Sequence, residues 1–167
     1  MKLIGIGGNL PSQFGSPEAG LPQALRLLET RGVRIKNCSP FYGAKAVPAS
    51  DQPDFVNAVA IIETTLPPEA LLSSLQAVEL EFGRVRGAPN AARSLDLDLL
   101  AYDRVHTDSG LQIPHPRMHL RAFVLAPLCD IAPDWLHPVL NQTARALLAA
   151  LPEPLGIWCL PGHSGRD

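Results

Sequence analysis

The segment Ser94-Leu95-Asp96-Leu97-Asp98-Leu99-Leu100 alternates apolar and polar residues and then becomes fully apolar. A strand sends successive side chains to opposite faces, so Leu95, Leu97 and Leu99 enter a core while Asp96 and Asp98 stand together on the other side. Neighbouring carboxylates repel each other unless a cation sits between them. A divalent metal held by hard oxygen ligands suits this spacing. An edge strand with two acids on a solvated face is the competing reading. Arg93 stands just upstream, with Arg84 and Arg86 somewhat earlier. The working picture is a strand that presents two aspartates to magnesium and phosphate.

Other residues extend the picture. The run Gly83-Arg84-Val85-Arg86-Gly87-Ala88-Pro89-Asn90-Ala91-Ala92-Arg93 is a loop of small residues with arginines at its ends. Arginine forks bind phosphate oxygens in bidentate fashion, and the small residues suit a lid. Asn57 is the one polar side chain in the run Phe55–Ile62. A buried amide needs hydrogen-bond partners, from the neighbouring chain or from a ligand. Glu79 falls near the C-terminal end of a helix, where the dipole disfavours a carboxylate. His115 is fixed between Pro114 and Pro116, with Arg121 nearby.

The elements that must position these residues follow from periodicity. Residues 2–7 form a strand that ends in a Gly7-Gly8-Asn9 turn. Its glycines allow close backbone approach, and it lacks the Lys-Ser/Thr of a P-loop. Leu21, Ala24, Leu25 and Leu28 define a helix, with Pro22 expected in its first turn and Gly32 suited to its stop. Val33–Tyr42 and Phe55–Thr64 are the next strands. A helix opening at Pro67-Pro68 buries Leu71, Leu75, Val78 and Phe82 and stops at Gly83. The aspartate strand follows, then a short core helix at Phe123–Leu128 and a last helix capped by Asn141. Residues 152–167 read as a loose tail. The order β-α-β-β-α-β with a C-terminal helical extension is that of a ferredoxin-like α+β sandwich.

Composition bounds the partners. The chain has 167 residues, 46% hydrophobic and 18% charged, with a formal net charge of −2. It fits one domain spanning residues 1–167. The balance gives no reason to expect a nucleic acid or an anionic membrane surface as partner. Cys38, Cys129 and Cys159 lack metal-site spacing and suggest a reducing, cytoplasmic setting.

Several motifs together resemble one family. They are Gly7-Gly8-Asn9-Leu10, Pro40-Phe41-Tyr42, Asp51–Ala58, Glu79 with Gly83–Arg86, Arg93–Asp98, and Ile113-Pro114-His115 with Arg121-Ala122-Phe123. The set is similar to the 6-hydroxymethyl-7,8-dihydropterin pyrophosphokinases of folate biosynthesis and covers about residues 2–151. The resemblance implies transfer of the β,γ-pyrophosphoryl group of ATP to the dihydropterin hydroxymethyl oxygen, with release of AMP. It implies two magnesium ions on Asp96 and Asp98, with Arg84 and Arg93 acting on the phosphates. Leu72, Gln76, Glu79, Arg86, His115 and Arg121 match ATP contacts. Gly7, the backbone from Ala44 to Val47, Phe55, Asn57 and Phe123 match a pterin pocket in which the ring stacks between Phe55 and Phe123. The expected partners are these two small molecules, and the expected state is a monomer. The 83–93 loop departs from the family: it is one residue shorter, lacks a Trp, and has Ala91-Ala92 where Gly-Pro is usual. Ala44-Lys45-Ala46 stands for Thr-Pro-Pro, Gly110 for a basic residue and Pro116 for an aromatic one. A catalytically impaired pterin- or nucleotide-binding relative and an unrelated two-metal nucleotidyltransferase are the alternatives.

Overall fold

The computed structural model describes residues 1–85, 87–89 and 91–162. Its elements are β1 (Lys2–Gly8), α1 (Pro17–Glu29), β2 (Arg34–Cys38), β3 (Tyr42–Ala44), β4 (Phe55–Glu63), α2 (Pro68–Glu81), β5 (Asp96–Tyr102), α3 (Ala122–Ile131), α4 (Ala144–Ala149) and β6 (Ile157–Cys159). A single 3-10 turn, Met118–Leu120, precedes α3. The strands form one antiparallel sheet in the order β5-β1-β4-β3-β6, with β2 also paired to β4. Strands β5, β1, β4 and β2 with α1 and α2 make the ferredoxin-like core.

Strand periodicity divides the residues between two faces. Ile4 and Ile6 of β1, Val56, Ala58, Ala60 and Ile62 of β4, and Leu97 and Leu99 of β5 pack with Leu21, Ala24, Leu28, Leu71, Leu75 and Val78 of the two long helices. Full burial of each large aliphatic side chain stabilises the fold by about 1.5–3 kcal/mol. On the opposite face Leu3, Val59 and Leu100 pack with Met118, Val124, Leu128 and Ala144. The C-terminal helices cover that end. The rest of the same face carries Gly5 and Gly7 on β1, Asn57 on β4 and both aspartates on β5.

Five sequence expectations need correction. The predicted strand Val33–Tyr42 is two strands. Pro40 has no N–H to offer a ladder, and the chain breaks there. The buried Ser39 hydroxyl instead accepts the Val59 N–H at 3.0 Å and donates to the Pro40 carbonyl. Pro22 is not in the first turn of α1, because the helix begins at Pro17, and Pro22 removes one interior hydrogen bond. The core helix is longer than expected and passes through Pro127 to Ile131. The last helix is capped by Thr143, whose hydroxyl accepts the Ala146 N–H at 3.1 Å, while Asn141 lies in a turn with φ of 53°. The expected tail contains β6, paired to β3, and residues 163–167 lie outside the described residues.

Two glycines of β1 differ in what surrounds them. A Cβ at Gly5 would have the Leu100 side chain as its nearest neighbour, at an ordinary contact distance of 3.5 Å, whereas at Gly8 it would fall 2.5 Å from the Ser94 carbonyl oxygen. Gly5→Ala is therefore expected to leave thermal stability nearly unchanged. Gly8→Ala must push neighbouring backbones apart and is expected to cost about 1–3 kcal/mol. Denaturant melts of the two variants check this, and equal losses would contradict the packing described.

Candidate active site

The antiparallel register lines up one row of residues across four strands. Tyr42 of β3 pairs with Asn57 of β4, Asn57 with Gly7 of β1, and Gly7 with Asp96 of β5. The next row places Val59, Gly5 and Asp98 side by side. Directly opposed residues share a face, so Asn57, Asp96 and Asp98 open on one surface with glycine between them. A Cβ on Gly7 would stand 2.6 Å from Asn57 Oδ1. The glycine is thus what lets the amide lie over β1. The Asn57 Nδ2 is buried and has no acceptor among the described residues. Such a donor is costly unless a ligand supplies the acceptor.

The aspartates meet cations from three regions of the chain. The Arg84 guanidinium donates to Asp96 Oδ1 at 2.7 Å and also to Glu79 Oε1. Arg93 Nε is 3.6 Å from Asp96 Oδ2, beyond hydrogen-bond length, and is a second buried donor without an acceptor among the described residues. Arg121 Nη1 is 3.7 Å from Asp98 Oδ2. Arg93 and Arg121 each also lie over an aromatic ring, Phe55 at 5.8 Å and Phe123 at 5.5 Å. Partial desolvation and the neighbouring Asp96 charge push the Asp98 carboxyl up to about 6 against the pull of the arginines. Three arginines thus face Asp96, Asp98 and Glu79, and the two aspartates share one surface with them.

Glu79 connects helix and strand. β5 is the edge of the sheet, so its Leu97 N–H lacks a ladder partner, and Glu79 Oε1 accepts it at 2.7 Å. Burial raises the Glu79 carboxyl, opposed by the Leu97 hydrogen bond and Arg84. Gln76 and Leu72 run back along the same stripe of α2, roughly 4.5 and 10.5 Å up the helix axis. Both are half-buried, and of these three residues it is Glu79 that bonds to the site, through the Leu97 N–H and Arg84. His115 is anchored by its own N–H to the Leu100 carbonyl, at 2.8 Å. Its Nδ1 accepts the Arg117 N–H at 3.1 Å, which leaves the proton on Nε2. Burial, then Arg121 and Arg117, lower its pKa to about 4, so the ring is a neutral donor. Ala44 is buried opposite Phe55, and the Val47 side chain is exposed. Arg86 lies outside the described residues.

Sequence reasoning read Asn9 only as a turn residue. The structure makes it the bolt of the site. It is 3% exposed. Its Oδ1 accepts the Arg93 N–H at 2.9 Å, and its Nδ2 donates to Gln52 Oε1 and to the Pro53 carbonyl at 3.2 and 3.0 Å. The N–H groups of Asn9 and Leu10 both reach the Arg93 carbonyl. One side chain thus ties the arginine to the loop that leads into Phe55. An Asn after two glycines was the available signal, but its long-range partners are invisible to local pattern. Ser94 Oγ donates to the Phe82 carbonyl at 2.7 Å and joins the two ends of the 83–93 loop.

Paired aspartates, convergent arginines and an unsatisfied amide beside an aromatic ring, on a ferredoxin-like sheet, have the make-up of a nucleotide-dependent transferase. The chain belongs to the 7,8-dihydro-6-hydroxymethylpterin-pyrophosphokinase (HPPK) family, whose model matches residues 3–133. It is 44% identical over 160 residues to the 2-amino-4-hydroxy-6-hydroxymethyldihydropteridine pyrophosphokinase of Pseudomonas aeruginosa, with 95% of this chain and 96% of that one covered. The Synechocystis protein of the same name is 37% identical over 93% of this chain and 78% of its own. The fold matches crystal structures of HPPK-DHPS. One, in complex with substrates, gives a TM-score of 0.68 at 16% identity over 89% of this chain. The Plasmodium falciparum wild-type structure gives 0.68 at 15% over the same share. This chain spans 42% and 44% of those longer chains, respectively.

The raised Asp98 carboxyl has a consequence for the metal-free protein. Between its unfolded value near 4 and its folded value near 6, the folded state binds the extra proton, so stability falls as pH rises through that window. Above pH 6 the ionised Asp98 is a net cost to the fold. Asp98→Asn in EDTA is expected to melt above wild type at pH 7.5, with the gap closing below pH 4. A lower melting temperature at pH 7.5 would contradict the assignment.

Proposed function

We propose that this chain transfers the pyrophosphoryl group of ATP to 6-hydroxymethyl-7,8-dihydropterin, forming AMP and the pterin diphosphate in folate biosynthesis. It is an ATP-dependent pyrophosphokinase. The observation that carries the reading is the row Asn57–Gly7–Asp96: a buried amide that lacks a partner among the described residues lies one strand from a carboxylate pair. Asn57 offers both halves of its amide to the edge of a pterin, and Phe55 and Phe123 supply ring faces for stacking. Gly7 keeps the floor flat, and Ala44 with the backbone to Val47 forms the outer wall.

The donor set fits magnesium. Among the described residues no group of three or more His, Cys, Asp or Glu side chains is placed to hold a metal ion by itself. Two carboxylates completed by phosphate oxygens are the usual magnesium arrangement at nucleotide sites. Asp96 and Asp98 would hold two ions, which when bound neutralise and orient the triphosphate. Arg84, Arg93 and Arg121 exchange carboxylate for phosphate oxygens when the nucleotide arrives. His115 donates from Nε2, and Leu72, Gln76, Glu79 and Arg86 border the nucleotide. The hydroxymethyl oxygen attacks the β-phosphorus and loses its proton to solvent, the bond from that phosphorus to the α,β-bridging oxygen breaks, and AMP leaves with that oxygen. Positioning and charge stabilisation supply most of the catalysis in such transfers. We place the reaction in the cytoplasm, where the three free cysteines stay reduced. Among the described residues no helix is long and apolar enough to cross a membrane.

The wild-type assay is decisive: AMP is expected from ATP only when the pterin is present. Asp96→Ala and Asp98→Ala are each expected to lose roughly 10²–10³-fold or more in kcat. Asn57→Ala is expected to raise the pterin KM about 10–100-fold with little change for ATP. AMP formation independent of pterin, or equal loss for both substrates, would overturn the reading.

The 83–93 loop acts as the lid. Its ends are pinned by Ser94, Asn9 and Glu79, while Val85 is 88% exposed. Amide exchange at Val85, Gly87 and Ala88 is expected to be fast in the free protein and to slow with pterin and a non-hydrolysable ATP analogue. Strong protection without ligand would refute a lid.

A further inference from the structure

The wall beside the pterin pocket is held from outside by the C-terminal strand, which lies beyond the residues matched to the family. β6 pairs with β3, Ile157 opposite Ala44, Trp158 opposite Gly43 and Cys159 opposite Tyr42. The Leu160 N–H extends the pairing to the Phe41 carbonyl at 2.8 Å. Ile157, Ala44 and Phe55 therefore form one row on the site face. Trp158 takes the other face and packs on Gly43. A Cβ there would lie 2.3 Å from the indole Cε2 and 2.4 Å from Nε1, so only glycine admits the ring.

Lys45 carries the contact onward. Its Nζ lies 5.7 Å from the centroid of the Trp158 ring and bonds both carboxylate oxygens of Asp54, at 2.9 and 3.0 Å. Asp54 directly precedes Phe55. An exposed ion pair of this kind is weak by itself. A three-residue strand with one neighbour is also a weak support, since short edges open easily. β6 makes β3 an interior strand, and the indole holds the Lys45 ammonium within cation–π range. The Ala44-Lys45-Ala46 segment that follows Gly43 has no proline to stiffen it.

We propose that Trp158 of β6 is a positioning residue for the pterin site: it braces Gly43 and Lys45 and, through Asp54, sets Phe55. This rests on the pterin reading given above. In the full chain, Trp158→Ala is expected to raise the pterin KM about 10-fold or more, the scale on which small misplacements are felt. The ATP KM and kcat are expected to stay within about 2-fold, and Trp158→Phe to restore most of the pterin affinity. Equal loss in both substrates, or no change, would overturn the proposal. Amide exchange without ligand separates this from the function itself. Trp158→Ala is expected to speed exchange at Gly43, Ala44 and Phe55 whether or not the chain makes AMP, and unchanged exchange there would also overturn it. Should Trp158→Ala fail to fold, Lys45→Met leaves the indole in place and removes the Asp54 bond. It is expected to move the pterin KM in the same direction, and an unchanged value would count against the proposal.

Discussion

Asp96 and Asp98 place two like charges about 7 Å apart along one face of an edge strand. Water alone would tolerate them, but the surrounding protein removes some of that water and raises Asp98 toward the neutral form. The fold answers by bringing cations from separated segments. Arg84 comes from the end of α2, Arg93 from the loop before β5, and Arg121 from the start of α3. Arg93 is only three residues from Asp96, whereas Arg84 and Arg121 are 12 and 23 residues from the aspartates they meet. Glu79 adds a third carboxylate that the same Arg84 must also serve, because the unpaired Leu97 N–H at the sheet edge requires an acceptor. The site is a cluster of three carboxylates and three arginines assembled around one exposed strand.

The two faces of the sheet divide the work. One face is a close-packed aliphatic core with α1 and α2, and it holds β1, β2, β4 and β5. The other is packed by the C-terminal helices at one end and left open at the other. Between Asn57 and Asp96 the strand β1 contributes only a glycine. A larger residue would fill the floor and displace the amide. The open end depends on rigidity supplied from below, since β1 itself offers no side chain there to hold its neighbours apart.

Much of this was legible in the sequence because it depends on period-2 and period-3.6 patterns. The alternation through β5 placed both aspartates on one face, and Asn57 fell on the face of Phe55 and Val59, as the structure has it. The helices α1 and α2 showed their buried stripes. What local pattern could not show was contact at long range. Asn9 looks like a turn residue, yet its partners are 43 and 84 positions away. The break at Ser39–Phe41 needed a hydroxyl to replace a ladder bond that Pro40 cannot make. The β6 strand is three residues long, among glycines and prolines, and its pairing partner β3 is equally short. Segments that gain their order from a partner strand carry little signal of their own.

The unsatisfied groups explain why such an arrangement persists. Asn57 Nδ2 and Arg93 Nε are buried donors without acceptors among the described residues, and burial of that kind costs stability in the free protein. The costs fall on the residues that face the opening, while the outward contacts of Asn9, Ser94 and Glu79 are fully made. A site whose supporting bonds are complete and whose inward bonds are open cannot relieve the cost by collapsing, because Asn9 fixes the Arg93 backbone and Gly7 fixes the path under Asn57. An acceptor brought to the amide and anionic oxygens brought to the arginines relieve that cost, whereas ordered water relieves it only by being held in place. In the reaction proposed above those groups are the edge of the pterin and the phosphates of ATP, and the arginines that would meet the phosphates already lie over the Phe55 and Phe123 rings.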